Sequence, residues 1–190
     1  MESQELINKS LNEAKEKMLG SLNALKHSLS GLRTGRASSA LLENVRVEAY
    51  GSLQPLNQVA TINVADARML TVQVWDQGLA KAAEKAIMEA SLGLNPITEG
   101  AVIRVPIPPL SEERRKELAR KAHEYGENAK VAIRNIRRHA MDELKIGEKD
   151  KILSEDDHRV GSRKVQDVTD ECIEKVDAAI KQKSEEILSF

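Results

Sequence analysis

Aromatic side chains are nearly missing: one Trp, two Tyr and one Phe make up 2% of the 190 residues. That shortage argues against a thick sandwich core and against an exposed stacking platform of the kind single-strand RNA readers display. A single cysteine, Cys172, excludes an intramolecular disulfide and a Cys-cluster metal site, and it suits a reducing compartment. The histidines His27, His123, His139 and His158 are dispersed, and no Gly-rich loop follows a strand, so neither a metal-ligand spacing nor a phosphate loop is present. No apolar run approaches the roughly 20 residues needed to span a bilayer, and the N-terminal MESQELINKS lacks the apolar segment of a signal peptide. These absences predict a soluble, monomeric, cytoplasmic protein that is not an enzyme and has no cofactor, no metal and no membrane partner.

Charge is abundant, at 31% of residues against 41% hydrophobic, yet it balances to a formal net charge of -1. Such a composition favours long solvated helices. Leu11, Ala14, Met18, Leu22, Leu25, Leu29 and Leu32 recur every three or four residues, which makes one stripe along a helix. A second stripe follows Pro106, Pro108 and Pro109, with Ser111 as N-cap and Glu112 and Glu113 against the positive helix end. It runs through Leu118, Ala122, Tyr125, Ala129, Ala132, Ile136, Ala140 and Leu144. The third begins at Ser154, followed by Glu155, Asp156 and Asp157, and carries Val165, Val168, Cys172, Val176, Ile180 and Ile187. No stripe can be buried alone, so the three predict a bundle.

Between residues 33 and 105 the period changes to two. Val45, Val47 and Ala49, then Ile62 and Val64, then Leu70, Val72 and Val74, and finally Val102 to Val105 predict about four strands, with a helix over 79–91 closed by Gly93. The fold class is therefore α+β: a long three-helix bundle from 1–32 and 106–190, with a smaller α/β domain inserted at 33–105. The two linkers, Arg33, Thr34 and Gly35 on entry and Arg104, Val105 and Pro106 on exit, are candidate hinge residues.

The stretch KVAIRNIRRH places Lys130, Arg134, Arg137 and Arg138 within nine residues with no acid among them. On a helical wheel centred on Ile136 they share one arc facing water, with Lys145 nearby and Glu127 the only acid well inside it. Like charges three and four residues apart cost helix stability unless an anion is bound, and the usual Glu four residues away is absent. Compensating acids lie elsewhere: residues 140–190 hold fourteen Asp and Glu against nine Lys and Arg. Arg forks two donors onto phosphate, so folded RNA is the expected partner, contacted by shape and backbone. A helical adaptor whose charged faces pair with another protein, and a general RNA-binding protein, are the competing readings.

Six ordered blocks resemble the bacterial ribosome recycling factor family: GLRTGRAS at 31–38, LLENVRVEAYG at 41–51, EKAIMEASLGLNP at 84–96, IRVPIPPLSEERRKEL at 103–118, VAIRNIRR at 131–138 and SEDD at 154–157. The resemblance implies an L-shaped, two-domain protein that enters the post-termination ribosome and separates the subunits with elongation factor G, which hydrolyses the GTP. It also implies that the arginine-bearing helix lies on large ribosomal subunit RNA through Arg134, Arg137 and Arg138; Lys130 is added on charge alone. The chain departs from the family's Asp-Ala-Asn after the paired arginines, having His139, Ala140 and Met141. His139 is expected at an interhelical contact, and Gly161 is expected to mark fraying near the start of the third helix.

Overall fold

A computed structural model describes residues 1–32, 34–90 and 93–189. Its two compact units are Met1–Arg33 with Glu113–Ser189, and Thr34–Glu112.

The first unit is a bundle of α1 (Glu2–Ser30), α3 (Glu112–Lys149) and α4 (Glu155–Leu188); α2 (Ala80–Glu89) lies in the second unit. α4 opens with a capping box: Asp157 N–H donates to Ser154 Oγ, and the Asp157 carboxylate accepts from Ser154 N–H. α3 closes on Lys151 at φ 60, with Ile152 N–H reaching the Gly147 carbonyl and Lys151 N–H that of Glu148. This Schellman closure turns the chain back antiparallel.

The buried stripe of α1 gains Ile7 and Ser10 at its start, and that of α4 contains Thr169, whose hydroxyl donates to the Val165 carbonyl. On α3 the buried set is Leu118, Ala122, Gly126, Ala129, Ile133, Ala140, Leu144 and Gly147. Ile133 is fully buried and Ile136 only partly, so the stripe is rotated from the expected centre at Ile136. The cause is glycine. A Cβ on Gly126 would stand 1.8 Å from Ile180 Cδ1, so α3 meets α4 along a line that only a hydrogen can occupy. Gly161 is also buried, between Leu144 and Ile7; it is a packing position, and the expectation of fraying is corrected.

The second unit has a four-stranded antiparallel sheet in the order β3 (Ala60–Asp66), β4 (Met69–Val74), β6 (Val102–Pro106), β5 (Ile97–Glu99). A separate hairpin pairs β1 (Arg46–Ala49) with β2 (Ser52–Pro55) through a turn with Tyr50 at φ 53 and Gly51 at φ 82. Helix α2 (Ala80–Glu89) buries Ala80, Ala83 and Ile87 against this core, which includes Val47, Leu70, Val72, Ile103 and Val105. Strands β2 and β5 have no buried residue, hence no alternation to reveal them in the sequence.

Arg104, Val105 and Pro106 do not form a linker. They end β6, paired with Thr71, Leu70 and Met69, and Val105 is fully buried. Ile107 is still tied in through its N–H to the Arg68 carbonyl, so the chain leaves the sheet only after it. On the entry side Gly35 is buried at φ 80, and Ala37 N–H bonds the Ala67 carbonyl. Arg33 lies outside the described residues.

Two glycine substitutions separate propensity from packing. Gly20 in α1 has nothing within 4 Å of an added Cβ, so Gly20→Ala is expected to stabilise by up to about 1 kcal/mol. Gly126→Ala must displace Ile180 and is expected to destabilise by about 1–3 kcal/mol. Thermal unfolding of both variants beside the parent checks the pair; equal gains in Tm would mean that α3 and α4 are not in close contact there.

Candidate nucleic-acid interface on α3

With α3 oriented by Ile133, the four cations of its central stretch fall into two groups. Lys130 and Arg137 lie roughly 40–60° from the stripe centre, beside α4, whereas Arg134 and Arg138 lie roughly 100–140° away, facing solvent.

Lys130 is a correction to the outward-facing arc. Its side chain is only 15% exposed, and its ammonium pairs with Asp177 on α4 and, at 3.5 Å, with Glu127. The hydrogen bond to Asp177, more than the surrounding charge, raises the Lys130 pKa above its ordinary value against an opposing desolvation. Its charge is spent within the bundle.

Arg137 is half-buried and held differently. Its Nη1 donates to Gln166 Oε1 at 3.2 Å, and Gln166 Nε2 donates in turn to Asp170 Oδ1 at 2.8 Å. Arg134 and Arg138 are exposed and, among the described residues, have neither an ion pair nor a hydrogen bond from their side chains. Arg120 and Lys145 are likewise exposed and unpaired, and they fall on the same strip of the wheel. Arg120 was not singled out from sequence because it stands apart from the dense run; its signal is the same helical angle two heptads and more away. Glu127, the acid within the strip, is engaged by Lys130 and lies 3.9 Å from His123 Nε2. Along the far edge of the strip Glu117, Glu124 and Asp142 are exposed, but between them stand Val131 and Asn135. The flank is therefore uncharged beside Arg134, and Asp142, one turn beyond Arg138, makes no ion pair with it.

His139 is exposed, and its Nε2 lies 3.3 Å from Glu143 Oε1 on its own helix. The bond between helices is made by Glu143, whose Oε2 accepts from Ser10 Oγ of α1 at 2.8 Å. Cys172 is buried, its Sγ 3.7 Å from the Met18 carbonyl, and burial pushes the thiol pKa up. Among the described residues no group of three or more His, Cys, Asp or Glu side chains is placed to hold a metal, and no helix is long and apolar enough to cross a membrane.

The few aromatic side chains are not all buried. Trp75 is 65% and Tyr50 76% exposed, both on the α/β unit. Each is held by its polar end, Trp75 Nε1 donating to Thr61 Oγ1 and Tyr50 OH to Asp76 Oδ2.

Comparison with known proteins bears on what this helix face serves. The family model for ribosome recycling factor matches residues 25–188. The ribosome-recycling factor of Brucella ovis is 52% identical over 178 residues, covering 94% of this chain and 96% of that protein; the one from Brucella melitensis is 51% identical over the same length. The chain belongs to the ribosome recycling factor family. A solution structure of a ribosome recycling factor superposes with a TM-score of 0.69 at 41% identity, covering 97% of this chain and 98% of that one. A second similar structure, with TM-score 0.61, 48% identity and coverage of 96% and 98%, is that of the T. thermophilus ribosome recycling factor, described with the E. coli elongation factor G as bound to the E. coli post-termination complex. The α+β architecture of bundle and small antiparallel sheet is thus that of ribosome recycling factors.

The Lys130 pair has a pH signature. A lysine whose folded pKa is raised contributes stability that is complete below its unfolded pKa and is lost as pH rises through the folded value. Lys130→Ala is expected to cost about 0.5–1 kcal/mol at neutral pH. That deficit should shrink only in strongly alkaline solution, above the ordinary lysine range. Denaturant unfolding across a pH series measures it; a deficit that vanishes near neutrality would contradict the pairing with Asp177.

Proposed function

We propose that this chain docks on the RNA of the large ribosomal subunit through the outer strip of α3 and, working with elongation factor G, separates the subunits of the post-termination ribosome. The observation that carries the docking surface is the pair Arg134 and Arg138, exposed on a rigid helix without any carboxylate of their own. Arginine suits such a task because its guanidinium stays charged and forks two donors onto phosphate oxygens. α3 has 38 residues and, at 1.5 Å per residue, extends about 57 Å, a strut able to carry these cations along an RNA surface. Family membership supports the ribosome as target, and the described pairing of a relative with elongation factor G supports that partner.

In this reading the chain itself hydrolyses nothing. The partner supplies the GTP chemistry in the cytoplasm, and the bundle transmits the resulting motion to the subunits. Turning between the units is assigned to Thr34 and Gly35 on one strand, the latter already at φ 80, and to residues 108–111 on the other. Arg134, Arg137 and Arg138 are the RNA-contacting residues, extended to Arg120 and Lys145 by their position on the strip. Lys130 is left out because its partner is Asp177.

Co-sedimentation with isolated large subunits over a KCl series tests the surface. Binding should weaken with a log-log slope of roughly -3 to -4 for the parent chain, and the Arg134→Ala/Arg138→Ala variant should be one to two units shallower and bind at least tenfold more weakly in low salt. Its Tm should stay within about 1 °C of the parent, since neither side chain supports the fold. Undiminished binding by this variant, or a helical adaptor's indifference to ribosomes altogether, would remove the surface.

A further inference from the structure

Gln166 on α4 is half-buried against α3, and its amide stands between a cation and an anion: Arg137 Nη1 donates to Oε1, and Nε2 donates to Asp170 Oδ1. The orientation of the amide is dictated by its neighbours. A guanidinium can only donate and a carboxylate only accept, so the reversed amide would set N–H against N–H and oxygen against oxygen. Asp170 thereby fixes Gln166, and Gln166 fixes one nitrogen of Arg137. The other donors of the guanidinium, including the Nε and Nη2 edge that makes a two-pronged contact with phosphate, remain unused by the bond.

The contrast with Lys130 gives this arrangement its meaning. Two helical turns before Arg137 and on the same edge of α3, Lys130 meets a carboxylate of α4 directly, and its charge is compensated there. At Arg137 the acid is set one residue-contact further back, with a neutral amide between. A carboxylate in direct contact would hold the side chain as firmly but would compete with phosphate for the same charge. An amide orients without neutralising.

We infer that Gln166 is a positioning residue for RNA binding: it holds the Arg137 guanidinium in a phosphate-ready orientation while leaving its charge available, with Asp170 setting the amide. This rests on the α3 surface proposed above. Without the amide, Arg137 still reaches the RNA but must be ordered on binding, so affinity falls while the number of phosphates contacted does not.

The test is a double-mutant cycle on Arg137→Ala and Gln166→Leu, read as affinity for large subunits over a KCl series, with Arg134→Ala/Arg138→Ala as the control for the surface itself. Leu keeps the bulk of Gln and removes both polar atoms. Gln166→Leu should weaken binding about three- to tenfold, the size of one ordinary intramolecular hydrogen bond, with the salt slope unchanged. Arg137→Ala should weaken it at least as much and make the slope about one unit shallower. In the Arg137→Ala background, adding Gln166→Leu should change nothing further, because the two act as one unit. Parent-like binding by Gln166→Leu, or an equal loss in both backgrounds, would overturn the positioning role while leaving the surface standing. If the control and Arg137→Ala both bind as the parent does, the surface itself is wrong and Gln166 falls with it. A Tm for each variant excludes unfolding as the source of any loss.

Discussion

The fit of Ile180 over Gly126 is the contact on which the placement of every α3 side chain depends. Because an added Cβ would collide at 1.8 Å, the two helices approach more closely here than side chains would allow, and α3 cannot rotate about its axis without losing that fit. Further along the pair the roles are exchanged: Leu144 of α3 lies against Gly161 of α4. Two such inserts, on opposite helices, one close to the turn at residues 150–153 and one far from it, set the rotation of α3 on α4. Once the rotation is set, Lys130 and Arg137 must lie at the seam, and Arg134 and Arg138 must face outward.

A near-neutral chain can still present concentrated charge if its acids are spent selectively. The α4 carboxylates nearest the seam serve its polar contacts: Asp177 directly on Lys130, Asp170 at one remove from Arg137. None reaches Arg134 or Arg138; on α3 itself Val131 and Asn135 lie beside them, and Asp142, one turn beyond Arg138, makes no ion pair with it. The repulsion between these like charges on one helix is a small cost, a few tenths of a kcal/mol per pair. The core of a 38-residue helix packed on two neighbours carries that easily. Burial supplies the stability, and the exposed face is left free for an anion.

Large apolar stripes, caps and turn residues were legible in the sequence, and the bundle, the inserted sheet and its helix follow from them. What sequence periodicity misplaced was the angle of α3, and the reason is specific. Gly126 and Gly147 are buried yet contribute nothing to a hydrophobic pattern, so the stripe seemed to centre on Ile136 when it turns on Ile133. An error of roughly 60° on the wheel suffices to move Lys130 from the seam to the solvent. Ser10 and Thr169 were missed on their helices for the related reason that buried polar residues look exposed in a pattern; each satisfies its hydroxyl, on Glu143 and on the Val165 carbonyl. The exit from the sheet was placed too early because Pro106 reads as a strand breaker, although proline is tolerated at the end of a strand. Arg134 and Arg138 were read as exposed because they lie far enough from either centre that the error did not matter.

The polar contacts along the α3–α4 seam also exclude alternatives that the apolar stripe alone would permit. Apolar contact is not directional, so a seam held by apolar contact alone would let antiparallel helices slide by a turn. Against that slide stand Lys130 with Asp177, Arg137 with Gln166 and Glu148 with His158, three contacts spread over the length of the interface in one register. One turn in one direction would bring Lys130 beside Lys181, and one turn in the other would bring it beside Ile173 with no acceptor. The first slide would also bring Arg137 beside Asp170, neutralising the cation that Gln166 keeps available. The seam therefore does two things with one set of side chains: it makes a single helix register the stable one, and in that register it consumes Lys130 while sparing the arginines.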